Sequence, residues 1–326
     1  MSFSNIPGNA GVLITGAAGF IGSHFAELLA NNNHTGEVLL LDRLSKGGHK
    51  SNIDKLLVKP NFTFLQADIS NTSAYSEFLK VCSLVFHFAA ESHVDRSIDK
   101  PEEFIQSNIV GTYRLLEACR SIPGLRFVMI STDEVYGSNS GNPSNENERF
   151  FPSSIYSASK ASAELLCLAN FKTHLQDLVI VRPCNNFGPR QDSEKFIPTI
   201  ITKILAGESI PVYGSGLNVR EWIDVRENVK SILAIALKGL AGEAYNVGSE
   251  IRVTNLELIN IISQHLRDYR VEINFTEDRK GHDTRYAIDS SKLKKTLNWV
   301  YKKNFEESIK ETVDWYKACS PLRKNQ

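Results

Sequence analysis

The segment from Val12 to Gly22, VLITGAAGFIG, runs from a short apolar strand directly into a helix and places Gly16, Gly19 and Gly22 at the turn between them. Glycines there permit a tight turn, close approach of the backbone to a pyrophosphate and tight packing of helix on strand, while the helix N-terminus attracts the anion. The spacing is G-x-x-G-x-x-G, and a glycine triplet alone also fits a plain turn. The next apolar run, Val38–Asp42, ends in an acid 20 residues after Gly22. That separation is expected of a carboxylate that hydrogen-bonds a ribose 2′-hydroxyl. Asp42 would repel a 2′-phosphate, which favours NAD over NADP, whereas Arg43 beside it works against that preference.

Further β-rich runs at Phe62–Leu65, Leu84–Phe88, Phe127–Ser131 and Leu178–Arg182 alternate with amphipathic stretches near 20–31, 73–80, 102–120 and 157–174. The alternation predicts βαβ units, hence an α/β fold built on a doubly wound parallel sheet of Rossmann type. After Pro183 the rhythm loosens: 185–224 and 249–326 look irregular, while a helix near 226–238 and the run Ala244–Val247 rejoin the first layer. The expected division is therefore a dinucleotide-binding unit of 1–183, rejoined by 225–248, and a smaller C-terminal α/β substrate lobe of 184–224 with 249–326. Composition removes other classes. With 37 basic and 37 acidic residues the net charge is zero, which lacks the basic footprint of a nucleic-acid binder. No apolar run has the length of a membrane span, and MSFSNIPGNAGVLIT lacks the basic and apolar regions of a signal peptide. The scattered Cys82, Cys119, Cys167, Cys184 and Cys319 suit the reduced thiols of a cytoplasm rather than a disulfide framework or a zinc site.

Ligands of open α/β sheets bind beyond the carboxyl ends of the strands. Asp68-Ile69 and Phe88-Ala89-Ala90, after the third and fourth strands, therefore face a cofactor, although Asp68 fits a helix cap equally well. Beyond the fifth strand come Ser131-Thr132-Asp133-Glu134. Thr132 can hydrogen-bond a substrate oxygen, and unequal surroundings can split adjacent carboxyls into one acid and one base. Tyr156 and Lys160, four residues apart, share one helical face. A neighbouring ammonium is expected to stabilise the phenolate and lower the tyrosine pKa from about 10, making Tyr156 a base toward an alcohol. The same pair also fits a solvated helix face. Glu91, His93 and Asp95 alternate as metal ligands do, but a fourth ligand is missing, so no metal is expected. His87, inside an apolar strand, reads as a hydrogen-bonded core residue.

With GAAGFIG, FHFAAESHVDRS (86–97), NIVGTYRLLEA (108–118), STDEVYG (131–137) and YSASK (156–160), the chain resembles the extended short-chain dehydrogenase/reductases, and within them the dTDP-glucose 4,6-dehydratases. The resemblance continues through CNNFGP, EKFIP, PVYGSG, VREW, GEAYNVG and DRKGHDTRYAID, nearly the whole chain. Related 4-epimerases and UDP-glucuronate decarboxylases share the Tyr and Lys but lack the Asp of the acid pair. The resemblance implies that Tyr156 removes the sugar 4-hydroxyl proton while hydride leaves C4 for NAD, with Lys160 tuning the tyrosine and Thr132 holding the oxygen. Glu134 then takes the C5 proton, Asp133 protonates the departing 6-hydroxyl, and hydride returns to C6. It also implies NAD contacts at Phe20, Ile21, Asp42, Arg43, Leu44, Ser45, Asp68, Ile69, Ala89, Ala90, Ser107, Tyr156, Lys160 and Asn186. Nucleotide-sugar contacts are implied at Ser92, Asn185, Lys195, Arg220, Asn255, Arg279 and His282; Arg220 and Arg279 suit a diphosphate because guanidinium is always charged and binds phosphate in bidentate fashion.

Departures from the family are Ala17 in place of a usual glycine, Lys280 in place of a usual proline, and a short Ser138–Ile155 segment. They touch the nucleotide rather than the reaction type, so both dTDP-glucose and UDP-glucose stand as substrates. Apolar faces on 102–120 and on the helix at Tyr156 fit a two-fold homodimer, or a monomer core. The competing activities are a UDP-sugar 4-epimerase or decarboxylase, and a non-catalytic NAD(H)-binding regulator on the same fold.

Overall fold

Every residue of Gly11–Thr15 (β1), Val38–Asp42 (β2) and Leu178–Pro183 is buried, as happens when a parallel strand is covered on both faces. The computed structural model describes Ile6 and residues 9–319. The chain start used to argue against a signal peptide, and the end of the expected substrate lobe (320–326), fall largely or wholly outside those residues. After β1 and β2 come β3 (Phe62–Gln66), β4 (Cys82–His87), β5 (Arg126–Ile130), β6 (Leu178–Pro183), β7 (Asn185–Phe187), β8 (Ile210–Tyr213), β9 (Val219–Asp224), β10 (Ala244–Val247), β11 (Arg252–Thr254) and β12 (Ile273–Thr276). Among the described residues seven of them form one sheet in the order β10-β6-β5-β4-β1-β2-β3, parallel throughout. The order reverses between β1 and β4, and a crevice at such a switch point is where open α/β sheets bind ligands.

The helices are α1 (Phe20–Asn31), α2 (Ser76–Leu79), α3 (Val94–Asp99), α4 (Pro101–Phe104), α5 (Thr112–Arg120), α6 (Ile155–His174), α7 (Phe196–Ala206), α8 (Val225–Lys238), α9 (Asn255–Ser263), α10 (Ser291–Leu297) and α11 (Phe305–Cys319). Alternate residues of each strand supply opposite cores. Val12, Ile14, Val38, Leu40, Val179 and Val181 pack with Phe25 and Leu29 of α1 and Val229 and Ile232 of α8. Leu13, Leu39, Leu41, Val85, Phe127 and Ile180 pack with Leu115 and Leu116 of α5 and Ala163 and Cys167 of α6.

Three stretches differ from the sequence expectation. The helix expected at 73–80 shrinks to α2 behind a tight turn at Thr72–Ala74, where Ser73 donates to Asn71 Oδ1 instead of supporting a helix. The single helix expected at 102–120 is interrupted by a widened π-helical stretch, Ile105–Gly111. A side chain at Gly111 would come within 2.7 Å of Ile69, and Asn108 in the wide turn is fully engaged by Glu91 and Ser159. The segments expected to be irregular instead contain α7, α9 and α11 around a third core of Phe187, Ile200, Ile204, Trp222, Leu258 and Val313. Their strands are three to six residues long, too short to show a period. Two small sheets, β11-β9-β7 and β12-β8, frame that core.

His87 is fully buried, with Nδ1 2.8 Å from Thr15 Oγ1 and Nε2 2.9 Å from Thr112 Oγ1. Burial first, and the Lys160 charge second, pull its pKa down to about 3. His24 on α1 is pulled down to about 4, by burial and then by Arg190. Both rings take up protons below about pH 6.5 in the unfolded chain but not in the folded one, so stability is complete above that pH and is lost as pH falls toward the folded values. At pH 5 each histidine should cost about 2 kcal/mol. Urea midpoints should therefore fall from pH 7 to pH 5; a constant midpoint would refute neutral burial of the two rings.

Candidate active site

The loops that follow β1 to β6 open onto one cavity of about 720 Å³. Of the catalytic, cofactor and nucleotide-sugar residues expected from the sequence, all but Leu44 line it. Leu44 has a positive φ of 57°, its amide donates to Asp42 Oδ1 at 2.8 Å, and its side chain packs against the core beside α1. It shapes the loop through its backbone.

At the end nearest α1, the helix begins at Gly19 with no side-chain cap, which leaves its first amides free for an anion. Gly16 has φ 68°, and a Cβ there would lie 2.6 Å from the Ala89 nitrogen; a Cβ at Gly22 would lie 2.3 Å from the Gly16 oxygen. The turn therefore tolerates only glycine at its first and third positions. Asp42, at the end of β2, accepts from the Ala18 amide at 3.0 Å. Burial raises its carboxyl above the usual range, opposed by the Leu44 and Ala18 amides. Arg43 is held by Asp68 at 3.0 Å and Glu91 at 2.6 Å, so its guanidinium is occupied rather than free for a 2′-phosphate. Asp68 does two jobs: Oδ1 closes a turn onto Ser70, and Oδ2 takes Arg43. Ile69, Phe88, Ala89 and Ala90, with Ser107 from the π-helical stretch, complete this wall, and Asn186 is fixed by Asn228 at 2.7 Å.

In the middle of the cavity, Thr132 caps the turn Asp133–Tyr136, accepting from the Glu134 amide and donating to Asp133 Oδ1, both at 3.2 Å. Asp133 is 3% exposed, and its Oδ2 has no partner. Burial, then the Glu134 and Glu221 charges, raise its carboxyl well above the ordinary range. Glu134 is also raised by burial, but Arg220, Lys195 and Arg279 pull against that. Facing them, α6 starts with a Ser154–Ser157 capping box that sets Tyr156 in its first turn. The expected activation of Tyr156 by Lys160 is not what the structure shows. Lys160 donates to the Ile130 carbonyl at 2.7 Å, and burial, followed by Glu134, raises the phenol; a hydrogen bond with Thr132 pulls the other way. Lys160 itself is brought down to about 8 by burial, against the Glu164 charge.

At the far end, Arg220 lies 4.3 Å over the Tyr286 ring and donates to the Asp283 carbonyl at 2.8 Å. Lys195 donates to the Ser92 carbonyl at 2.6 Å, Arg279 reaches Asp95 at 3.3 Å, and His282 meets Asp278 at 2.7 Å. Asn185 and Asn255 line the same wall. The suspected ligand trio points to separate partners: Glu91 to Arg43, His93 to the Glu194 carbonyl, and Asp95 to Arg279. Buried polar atoms without partners collect around the cavity, among them Asp133 Oδ2, Asn185 Oδ1, Gln191 Oε1, Trp222 Nε1 and Arg279 Nε. Such atoms call for a polar ligand.

Sequence reading gave no site role to Arg96, Gln191, Tyr213, Trp222 or Tyr286, which also line the cavity, and considered Glu91 only as a metal ligand. Tyr213, Trp222 and Tyr286 sit inside recognisable motifs, but the short strands of the first two and the irregular stretch of the third carry no sign of which side meets the site.

A profile described as GDP-mannose 4,6 dehydratase matches residues 13–312. The chain is 42% identical over 305 residues to the low-salt glycan biosynthesis protein Agl12 of Haloferax volcanii, covering 94% of this chain and 98% of that one. It is also 42% identical over 313 residues to a dTDP-glucose 4,6-dehydratase of an Actinoplanes species, with the same coverage of 94% and 98%. Among solved structures, DesIV, a dTDP-glucose 4,6-dehydratase from Streptomyces venezuelae with NAD bound, superposes with a TM-score of 0.91 at 37% identity, covering 94% of this chain and 97% of that one.

The crowding at Gly16 makes a test. Gly16→Ala combines a positive φ with a backbone clash, so it should destabilise by more than about 1 kcal/mol. In a thermal melt, NAD should raise the parent's midpoint and leave the variant's unchanged. An equal NAD-induced rise in both would show that the turn does not hold the dinucleotide.

Proposed function

The chain belongs to the GDP-mannose 4,6-dehydratase family, alongside dTDP-glucose 4,6-dehydratases, and we propose that it removes water from a nucleotide-activated glucose, giving the 4-keto-6-deoxy sugar. The observation that carries this reading is the Asp133–Glu134 pair set beside Tyr156 and Thr132 in one cavity. An epimerase has no elimination step for a second acid to serve, and a dinucleotide sensor needs neither.

The glycine turn, the open start of α1 and the Asp42 carboxylate fit NAD, with Arg43 already paired. NAD supplies the redox partner that takes and returns an electron pair, and a cationic ring whose charge favours loss of the Tyr156 proton. Residues 1–183 with 225–248 serve it, and 184–224 with 249–326 serve the nucleotide-sugar. Thr132 orients the sugar 4-oxygen, and Tyr156 accepts its proton, while Lys160, one turn along α6, holds the Ile130 carbonyl at the end of β5. Glu134, kept the more ionised carboxyl by Arg220, Lys195 and Arg279, takes the C5 proton. Asp133, held protonated by burial, delivers its proton to the leaving 6-hydroxyl. Arg220, Arg279 and Lys195 neutralise the diphosphate, while Ser92, Asn185, Asn255 and His282 frame sugar and base.

Mass spectrometry of the parent with dTDP-glucose should show loss of one water, and the absence of that loss from every nucleotide-hexose would overturn the reading. Tyr156→Phe should suppress formation of bound NADH by roughly 10²–10⁴-fold. Glu134→Gln should still form NADH but stall before water loss. By family resemblance dTDP-glucose is preferred to UDP-glucose, and one methyl in an apolar pocket limits that ratio of kcat/KM to roughly 10–200-fold.

The enzyme acts as a homodimer in the cytoplasm, where its free thiols stay reduced. What supports the dimer is an exposed apolar face that runs along α5 and α6 and the π-helical stretch: Ile105 and Tyr113 are 43% and 44% exposed, and Leu165 is 56% exposed. Ile105→Glu with Leu165→Glu should halve the sedimenting mass; a parent that already sediments as a monomer would refute the dimer.

A further inference from the structure

Arg182, on β6, is 2% exposed and lies outside the cavity wall, yet it ties together the two elements that bear the catalytic groups. Its Nε and Nη2 donate to the Glu164 carboxylate at 2.9 and 2.7 Å. Glu164 sits on α6, four residues beyond Lys160 and eight beyond Tyr156, hence on their face of the helix. The other arm, Nη1, donates to the Tyr136 hydroxyl at 2.6 Å, and Tyr136 closes the turn that starts at Asp133. The guanidinium lies flanked by the Tyr136 and Phe150 rings, 5.1 and 4.9 Å from their centroids. The Tyr136 hydroxyl in turn donates to Asn246 Oδ1 at 2.8 Å, which anchors the turn to β10.

We propose that Arg182 and Tyr136 are positioning residues that fix the Asp133–Glu134 turn relative to Tyr156 and Lys160, so that the acid pair meets the substrate held by the base. The proposal rests on the dehydration reading above. A buried ion pair is a poor source of stability, because desolvating two charges offsets most of their attraction, and apolar groups of equal volume serve as well. What the Arg182 fork adds is geometry: its planar donors hold a carboxylate and a phenol in set directions. Neither residue touches the cavity, so each acts through the groups it holds. Their effect should fall on the step that needs both elements in register. Oxidation at C4 uses α6 and Thr132, whereas elimination uses Asp133 and Glu134.

Single-turnover reactions of the full-length, NAD-loaded enzyme with dTDP-glucose separate the steps. Tyr136→Phe keeps the ring and the Arg182–Glu164 pair while removing the link to the turn. It should form bound NADH at the parental rate and lose water roughly 10–100-fold more slowly, the penalty of a small misplacement, with KM unchanged. Arg182→Lys keeps a charge but not the fork, and should likewise slow water loss more than NADH formation. Parental rates of water loss in Tyr136→Phe would overturn the proposal. So would a slowing of both its steps in line with a lower melting temperature, which is the signature of a merely structural role. A parent that forms no NADH with any nucleotide-hexose overturns the dehydration reading itself and takes this proposal with it.

Discussion

An all-parallel sheet leaves the carboxyl ends of its strands at a single edge, and everything chemical in this chain follows from that. Both faces of the sheet are covered, by α1 and α8 on one side and α5 and α6 on the other, so the edge is where loops can meet a ligand. Because the order turns back between β1 and β4, the helices that follow these two strands cover opposite faces, and the crevice lies beyond the strand ends, lined by Gly16 and Phe88–Ala90 together. The tightness of the Gly16 turn against Ala89 is the local cost of bringing those loops so close.

Burial at this edge acts on the ionisable groups in a consistent sense. It raises Asp133, Glu134 and Tyr156 and lowers Lys160, in each case favouring the uncharged form. What separates the two carboxyls is their surroundings. Glu134 lies within reach of Arg220, Lys195 and Arg279, while Asp133 faces Glu134 and the buried Glu221. Tyr156 lies on the protonated side of this balance, so its basicity depends on charge brought in by what binds. The residue spacing in the sequence suggested a tyrosine already tuned by its lysine, but spacing carries no information about the Ile130 carbonyl that accepts a hydrogen bond from the lysine.

The strands of the first half were legible because each is a run of branched apolar residues bounded by turns, and Val38–Asp42 and Ala244–Val247 were bounded to the residue. The glycine turn and the Thr132–Asp133–Glu134 and Tyr156–Lys160 groups were legible because their chemistry is local in the chain. Contacts between distant residues were not. Arg43 meets Glu91 from 48 positions away, and Arg279 meets Asp95 from 184, so only the fold could show that these charges are paired. The segments outside the large sheet escaped for another reason: their strands are only three to six residues long, too short to set a readable period, and they split into two small sheets around the third core.

The position of β10 has consequences for how such a chain can be divided. After Pro183 the chain leaves the sheet through β7, β8 and β9 and returns with α8 and then β10, which pairs with β6 at the sheet's outer edge. No single cleavage separates the two lobes. A fragment ending at Pro183 bares the β6 edge, with its row of unpaired amides and carbonyls, and such an edge recruits other strands. Recombination that exchanges the segments outside the large sheet between relatives must therefore splice at three junctions, near residues 184, 225 and 248, and a nascent chain keeps the β6 edge unpaired until its two-hundred-and-forty-seventh residue has left the ribosome.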